Sequence, residues 1–593
     1  MNKKCIIVLL IGLCMAVFGL QRATACTNFL ITKSASTDGS TMVSYAADSH
    51  ALYGVLYHWP AQDWPAGAML DVYEWDSGRF MGRIPQISHT YNVVGNMNEH
   101  QLVIGETTFG GRSELVDTTG IIDYGSLIYI TLQRAKTARE AIHTFHKLVD
   151  EYGYASSGES FSIADSEEVW ILEMVGKGTK TTTNKKGETY NANKGAVWVA
   201  RMIPDGYVSG HANQARITTF PLADKKTSIT TKQIDKIYNK EVTTVYTPDV
   251  VSFAREAGYY EGPDDKFSFS DVYNPVDFGG ARFCDLRVWA MFNKVTKGMD
   301  AYWDYATGRN IHHPVPPVEG KPLKPENFPD NRMPLWIKPD AKVSVQDMFY
   351  FMRDHLEGTE LDMSVDVGAG PFASPYRWRP MSWSVDGANY IHERVTATQQ
   401  TAFSFVSQSR SYVQNEIGGI IWWGVDDAGS SVYAPMYTCM TKAPECYAEG
   451  NGDLLTWSET SGFWVFNQVT NLAYTRYNII HPEIAEKQFE HESKYLKEVP
   501  NTDAEAKKLY AQDPKKAVEY LTNYSIKTAN DLVKDWKGFY QSLFMKYVDG
   551  NRKYSQPVPE GYKYYAPKID HPKYSDDFYK LIIEKTGDKL KEF

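Results

Sequence analysis

The sequence predicts an α+β protein in which helices are layered on antiparallel sheets. Three observations carry that class. Apolar runs come in pairs separated by short turn signals, the mark of strand hairpins. A helix with its own start and stop signals lies between such pairs. From about Pro482 onward the chain is polar and rich in Lys, Glu and Tyr, and reads as helix.

The first hairpin pairs the run from Cys26 through Phe29-Leu30-Ile31 with Thr41-Met42-Val43-Ser44-Tyr45-Ala46. Asp38-Gly39 between them is a strong two-residue turn signal. A turn centred there sets Cys26 opposite about position 51 and brings Asp48 beside it. The second hairpin runs Asn92–Met97, turns at Asn98-Glu99-His100-Gln101, and returns as Leu102–Gly105. Helical signals begin near Asp123. Thr137-Ala138-Arg139-Glu140 is a capping box. It opens a helix with Ile142, Phe145, Leu148 and Val149 on one face and Gly153 at its end. Phe161–Ile163 and Val169–Met174 flank a turn, and Val197–Ala200 precedes a Pro204-Asp205-Gly206 turn and Tyr207-Val208. Residues 313–340 are rich in Pro and read as a long crossing loop. Thr401–Ser409 and Gly419–Val425 alternate too weakly for half-exposed strands and read as strands buried on both faces. The polar tail reads as a cap or dimerisation element, which leaves the oligomeric state open, a homo-oligomer included.

Residues 1–25 form a leader rather than part of the fold. Lys3 and Lys4 precede an apolar stretch, Cys5 through Leu20, that is short for a membrane span. Ala23-Thr24-Ala25 then matches the small-x-small pattern of a signal-peptidase site. The expected mature protein begins at Cys26, is exported to a periplasm or secreted, and has no transmembrane segment. Its formal net charge of −10 becomes still more negative once Lys3, Lys4 and Arg22 leave. That balance disfavours nucleic acid and anionic membranes as partners.

A new N-terminal Cys carries a thiol and an α-amine on one residue. Their ordinary pKa values, about 8.5 and about 8, lie close enough for the amine to take the thiol proton. Nucleophile and base then need no separate His. The competing reading is a lipoprotein acylated at Cys26. Lipoprotein signals place an aliphatic residue three positions earlier, where this chain has Ala23, and a strand starting at once leaves no tether.

Other chemistries lack their motifs. There is no Gly-x-Ser-x-Gly elbow, no phosphate loop and no His-Glu-x-x-His. His392-Glu393 is followed by Thr396 where a second His is needed, and His312-His313 has no third ligand. The sequence calls for no metal and no cofactor. Cys439 and Cys446 lie close enough in the chain for a disulfide, a question the spacing leaves open.

Several segments, in order, resemble the dipeptidase A-type cysteine peptidases, a branch of the N-terminal-nucleophile hydrolases distantly related to bile salt hydrolases and penicillin V acylases. They are Cys26-Thr27 with Thr37–Ser40, Asn98–Glu106, Ala212–Ile217, Arg287-Val288-Trp289, Ser407–Arg410, Gly418–Trp423 and Ser431–Tyr437. The resemblance implies an αββα four-layer sandwich over residues 26–480, with a helical extension over 481–593. It implies hydrolysis of dipeptides or short peptides through a thioester on Cys26. It makes Asp48 the carboxylate beside the N-terminal amine, Asn213 an oxyanion donor, and Arg287 an active-site arginine that binds substrate, with Arg282 its nearby competitor. Glu106 is the candidate acid for the substrate's α-ammonium. Two departures stand out: Tyr45-Ala46-Ala47-Asp48 lacks the arginine that often precedes this Asp, and the first hairpin is longer than in the acylases. Two other functions remain in view, an N-acyl amide hydrolase of the same fold and a non-catalytic surface lipoprotein.

Overall fold

The computed structural model describes residues 25–311 and 321–592. The leader up to Thr24 and the His312-His313 pair lie outside the described residues.

The first hairpin joins β1 (Ala25–Ile31) and β2 (Thr41–Asp48). Its register differs from the sequence expectation. Ile31 pairs with Met42, Cys26 with Ala47, and Ala25 with Asp48. The connection is not a two-residue Asp-Gly turn. A 3₁₀ turn at Lys33–Ala35 comes first, and the Asp38 carboxylate then accepts from Ser40 N at 3.0 Å and Ser40 Oγ at 2.7 Å. That local bonding competes with ladder pairing and lengthens the loop. The slip is an even number of residues, so the buried face is unchanged.

The chain continues through β3 (His58–Trp59), β4 (Val93–Val94), β5 (Met97–Asn98) and β6 (Val103–Gly110). Helix α1 (Tyr124–Leu132) starts where Asp123 accepts from Ser126 N at 3.0 Å. Helix α2 (Ala138–Tyr152) starts on Thr137, which accepts from Glu140 N, and ends at Gly153 with φ 78°. The Glu140 carboxylate reaches Lys136 N at 2.7 Å, one residue before the position a reciprocal capping box uses. Then come β7 (Gly158–Ala164), β8 (Val169–Gly176), β9 (Ala196–Met202), β10 (Val208–His211), β11 (Ser228–Thr230) and β12 (Thr244–Tyr246). Helix α3 (Leu286–Val295), β13 (Trp336–Ile337), α4 (Val345–Met352), β14 (Thr401–Ser409), β15 (Gly419–Val425) and β16 (Ala434–Tyr437) follow. The chain then turns helical in α5 (Gly462–Tyr474), α6 (Tyr477–Gln512) and α7 (Pro514–Tyr547).

The protein is therefore α+β, with a helical C-terminal region. A seven-stranded sheet has the order β13-β10-β1-β2-β14-β15-β16. A nine-stranded sheet has the order β11-β12-β9-β8-β7-β6-β5-β4-β3. Every residue of β14 and β15 is buried, as their weak alternation predicts. On one face of the nine-stranded sheet, Ile104, Phe161 and Leu172 pack with Leu127 and Phe145 of α1 and α2. From its other face, Val103, Ala164 and Val175 share a core with Phe29, Val43 and Phe405 of the seven-stranded sheet. Helices α3 and α4 lie against β1 and β2.

One buried polar cluster between the sheets pairs within itself. His211 on β10 meets Ser162 Oγ through Nε2 and Thr107 Oγ1 through Nδ1, each at 2.7 Å. Burial lowers its pKa to about 3, so the imidazole is neutral. Gly105 is glycine for space: a Cβ there would sit 2.6 Å from the Asn28 amide, which lies at 3.0 Å from Ser162 Oγ.

Helices α6 and α7 share the main core through Ile484, Tyr495, Leu521 and Trp536. Two buried ion pairs tie α6 to the rest: Arg353 with Glu492 at 2.5 Å, and Arg410 with Asp503. The helix crosses position 480, so the sequence boundary at 480/481 falls within it. Cys26, Cys284, Cys439 and Cys446 are all free, which answers the open disulfide question for Cys439 and Cys446. Among the described residues, no helix is long and apolar enough to cross a membrane.

Candidate active site

Cys26 is the second residue of β1 and is 4% exposed. Its cross-strand partner is Ala47, so Tyr45, two residues earlier on β2, shares its face. Cys26 Sγ lies 3.7 Å from Tyr45 Oη and 3.5 Å from Glu106 Oε1. Tyr45 Oη also donates to Glu106 Oε1 at 2.7 Å. The three side chains form one compact cluster at the wall of a cavity that reaches Asp76, Tyr124 and Tyr129.

The nitrogen of Cys26 points elsewhere. It donates to Asn213 Oδ1 at 2.9 Å. Asn213 follows β10 in the left-handed region, φ 63°, which Asn tolerates better than most residues. Its Nδ2 donates to Thr108 O at 2.7 Å, so both ends of the amide are tied. An amide nitrogen has two hydrogens, and Asn213 thus keeps one beyond the bond to Thr108.

Arg287 on α3 locks this arrangement. Its Nη1 donates to Cys26 O and Thr27 Oγ1, both at 2.6 Å. Its Nη2 donates to Asn213 Oδ1 at 2.9 Å and Ala212 O at 3.1 Å, and its Nε to Phe283 O at 2.8 Å. Burial lowers its pKa to about 10, which leaves it charged at neutral pH. A guanidinium has five N–H groups, and here all five meet the protein's own oxygens. Arg287 therefore positions Cys26 and Asn213, and the substrate contact expected of it from sequence is not available in this geometry. Arg282 turns away and pairs with Glu393 at 2.6 Å.

Asp48 closes β2 at an irregularity. Ala47 pairs with Phe403 on β14, but Asp48 pairs with Thr401. Such a bulge re-aims a side chain. The carboxylate accepts from Thr401 Oγ1 at 2.6 Å and from Arg394 Nη2 at 2.5 Å. Burial raises the Asp48 pKa, and Arg394, Thr401 and Arg287 oppose it in that order. The arginine absent from the stretch before Asp48 is thus matched by one far along the chain.

Electrostatics keep the resting thiol protonated. Burial raises its pKa well above the ordinary value, and the charges of Glu106 and Asp48 push the same way. The Asp48 backbone N–H and Tyr45 pull it partly back. Glu106 is raised by burial, with Tyr45 and Glu159 as its main opposing hydrogen-bond partners. Glu159, across the ladder from Thr108, is raised well above its usual range by burial and by the charge of Glu106. Burial thus favours keeping a proton on that pair. Two adjacent buried carboxylates cannot both ionise.

The structure thus brings Cys26, Glu106, Asn213 and Arg287 into direct contact, with Asp48 one cross-strand position away. Sequence reasoning missed Tyr45, Arg394, Glu159 and Asp76. Tyr45 had a signal, since it shares the parity of Cys26's partner in the hairpin. Arg394 had none, because only tertiary folding brings it to Asp48. Among the described residues, no group of three His, Cys, Asp or Glu side chains is placed to hold a metal ion.

The family model for peptidase family C69 matches residues 25–56 and 51–490. The chain belongs to peptidase family C69. Its match begins at the residue before Cys26 and runs through every site residue described above. Membership makes it a cysteine-type hydrolase and agrees with the dipeptidase A-type resemblance. Among curated relatives, a probable dipeptidase B of Streptococcus pyogenes serotype M1 is 21% identical over 568 residues, covering 91% of this chain and 96% of the relative. A probable dipeptidase of Salmonella dublin is 21% identical over 457 residues, 72% of this chain and 84% of the relative. A dipeptidase of Bifidobacterium longum is 24% identical over 379 residues, 58% of this chain and 61% of the relative.

Proposed function

We propose that this C69 protein is an exported dipeptidase whose nucleophile is Cys26, made N-terminal by cleavage after Ala25. The observation that carries this reading is the divided environment of Cys26. Its nitrogen is held by Asn213, while its sulfur faces a cavity beside Tyr45 and Glu106. The dipeptidase names of the relatives support the substrate class. Two face-to-face sheets with helices outside them agree with the sandwich of N-terminal-nucleophile hydrolases.

In this reading, cleavage turns the Cys26 amide into an amine. The thiol is otherwise too weak an acid to ionise, and the amine accepts its proton, directly or through water. The thiolate attacks the scissile carbonyl carbon. The carbonyl oxygen becomes an oxyanion, and the free N–H of Asn213 Nδ2 is the donor available to it; one such donor is worth about 3 kcal/mol. The α-ammonium returns its proton to the leaving nitrogen as the C–N bond breaks, leaving a thioester on Cys26. Water, deprotonated by the same amine, attacks the thioester and releases the acid and the thiol. Arg287 and Asp48 hold the geometry and the local charge throughout.

The test is the N-terminal mass of the protein recovered from its exporting host, with dipeptide hydrolysis measured before and after iodoacetamide. The expected result is a chain starting at unmodified Cys26 whose alkylation abolishes hydrolysis. An acylated Cys26, or a chain starting elsewhere, would overturn the mechanism.

A further inference from the structure

The cavity beside Cys26 is one-sided in charge. Its lining contains Asp48, Asp76 and Glu106 but no Lys, Arg or His. Each of those acids has a hydrogen-bond partner. Asp48 is paired with Arg394, and Glu106 accepts from Tyr45 and lies close to Glu159. Asp76 differs in placement: it sits on an exposed turn at the rim, where Tyr124 Oη donates to it at 2.9 Å.

A second observation points to a hydrogen-bond donor in the same space. Asn96 lines the cavity and is 3% exposed. Its Nδ2 donates to Ile104 O at 2.9 Å. Its Oδ1 is buried and has no partner among the described residues. A buried carbonyl left unsatisfied is costly, so this acceptor is open to an N–H from a ligand. Aromatic rings complete the setting. Trp75, next to Asp76, and Tyr129 have centroids 4.6 Å apart, and such faces attract ammonium groups. The turn itself is fixed. Trp75 N donates to Asp123 Oδ2 at 2.8 Å, and a Cβ on Gly125 would lie 2.4 Å from Trp75, so only glycine seats the ring.

We propose that Asp76, braced by Tyr124, and Asn96 Oδ1 form the subsite for the substrate's α-ammonium. The nucleophile's own amine is not the cation in question, because the Cys26 nitrogen points to Asn213. This inference rests on the peptidase reading above and gives that site its substrate class: peptides with a free N-terminal amine. An ammonium anchored at the rim sets how far the first peptide bond reaches toward Sγ. An N-acylated peptide brings no charge to Asp76 and adds bulk where the ammonium belongs. The acid that recognises the amine is thus Asp76, not Glu106, whose carboxylate serves Tyr45 and the thiol.

The experiment compares Ala-Ala with N-acetyl-Ala-Ala as substrates of the mature enzyme and of its Asp76→Asn and Tyr124→Phe variants, with a thermal melt of each. The wild type is expected to prefer the free dipeptide. Asp76→Asn should raise KM for it about ten- to a hundredfold, the cost of losing a charged hydrogen-bond partner. The variant should treat N-acetyl-Ala-Ala as the wild type does, so that the preference collapses. Tyr124→Phe should move the same way by less, and the Asp76→Asn melt should not shift, since Asp76 is exposed. An Asp76→Asn enzyme that keeps the wild-type preference overturns the subsite and leaves the peptidase reading intact. A wild type that cleaves neither substrate, or prefers the acetylated one, overturns both.

Discussion

Arg394 reaches back across 346 residues of chain to place Nη2 2.5 Å from Asp48 Oδ2. Both side chains are almost fully buried, at 7% and 0% exposure. The pair fixes the end of β2 beside Cys26 and opposes the rise that burial imposes on the Asp48 pKa. Asp48→Asn should therefore cost about 3–5 kcal/mol, because it strands a buried guanidinium. Adding Arg394→Met to Asp48→Asn should recover much of that stability without restoring hydrolysis. Chemical denaturation and dipeptide kinetics on the single and double variants check both expectations. A double variant with normal activity would remove Asp48 from the mechanism.

Arg287 makes a different prediction. It has no carboxylate against it in the hydrogen-bond pattern, and its bonds run to four carbonyl-type oxygens and one hydroxyl. Lysine keeps the charge but cannot reproduce the planar fork. Arg287→Lys should lower kcat by about a hundredfold or more, since about 1 Å of misplacement at a reacting group can cost that much. KM should change little, because Arg287 has no N–H left for substrate. A large rise in KM with kcat retained would instead return Arg287 to substrate binding.

Tyr45 sits between nucleophile and acid, 3.7 Å from Sγ and 2.7 Å from Glu106. Its hydrogen bond lowers both the thiol's and the carboxyl's pKa. Tyr45→Phe removes that support from each. The rate–pH profile of kcat/KM should shift its limbs to higher pH, with kcat falling about tenfold or more at neutrality. An unchanged profile would make Tyr45 a packing residue only.

How much of this was legible depends on how far apart the interacting residues lie in the chain. The helix start at Thr137, the stop at Gly153 and the buried strands β14 and β15 rest on local pattern, and they fold where that pattern places them. The first hairpin was half legible. Its faces were right because parity survives an even slip, but its register was not, because the Asp38 carboxylate binds Ser40 locally and lengthens the turn. Asp48 still arrives beside Cys26 by that shorter register. Asn213 and Arg287 came from resemblance rather than periodicity, and only the structure shows that one ties the Cys26 nitrogen and the other ties both. Arg394 and Asp76 carry no local signal. Each matters only because tertiary packing brings a distant loop to the end of β2 or to the rim of the cavity.

Two buried groups near the inter-sheet core oppose one another as pH changes. His211 is lowered from 6.5 to about 3 by burial and by Arg216. The unfolded chain therefore binds a proton that the native state refuses, and stability falls as pH drops from about 6.5 toward 3. Glu173 is raised from 4.5 to about 7 by burial, against bonds from the backbone N–H groups of Arg216 and Ile217. Here the native state holds a proton that the unfolded chain releases. Its contribution is present below pH 4.5 and is lost as pH rises through 7. Between pH 4.5 and 6.5 the two slopes have opposite sign and partly cancel. His211→Gln removes the first, so unfolding free energy should fall more steeply with rising pH across that window. Glu173→Gln removes the second, so it should rise more steeply instead. Urea unfolding at half-unit pH steps reads both slopes, and variants that shift them in the same direction would show that the two groups do not titrate as their surroundings demand.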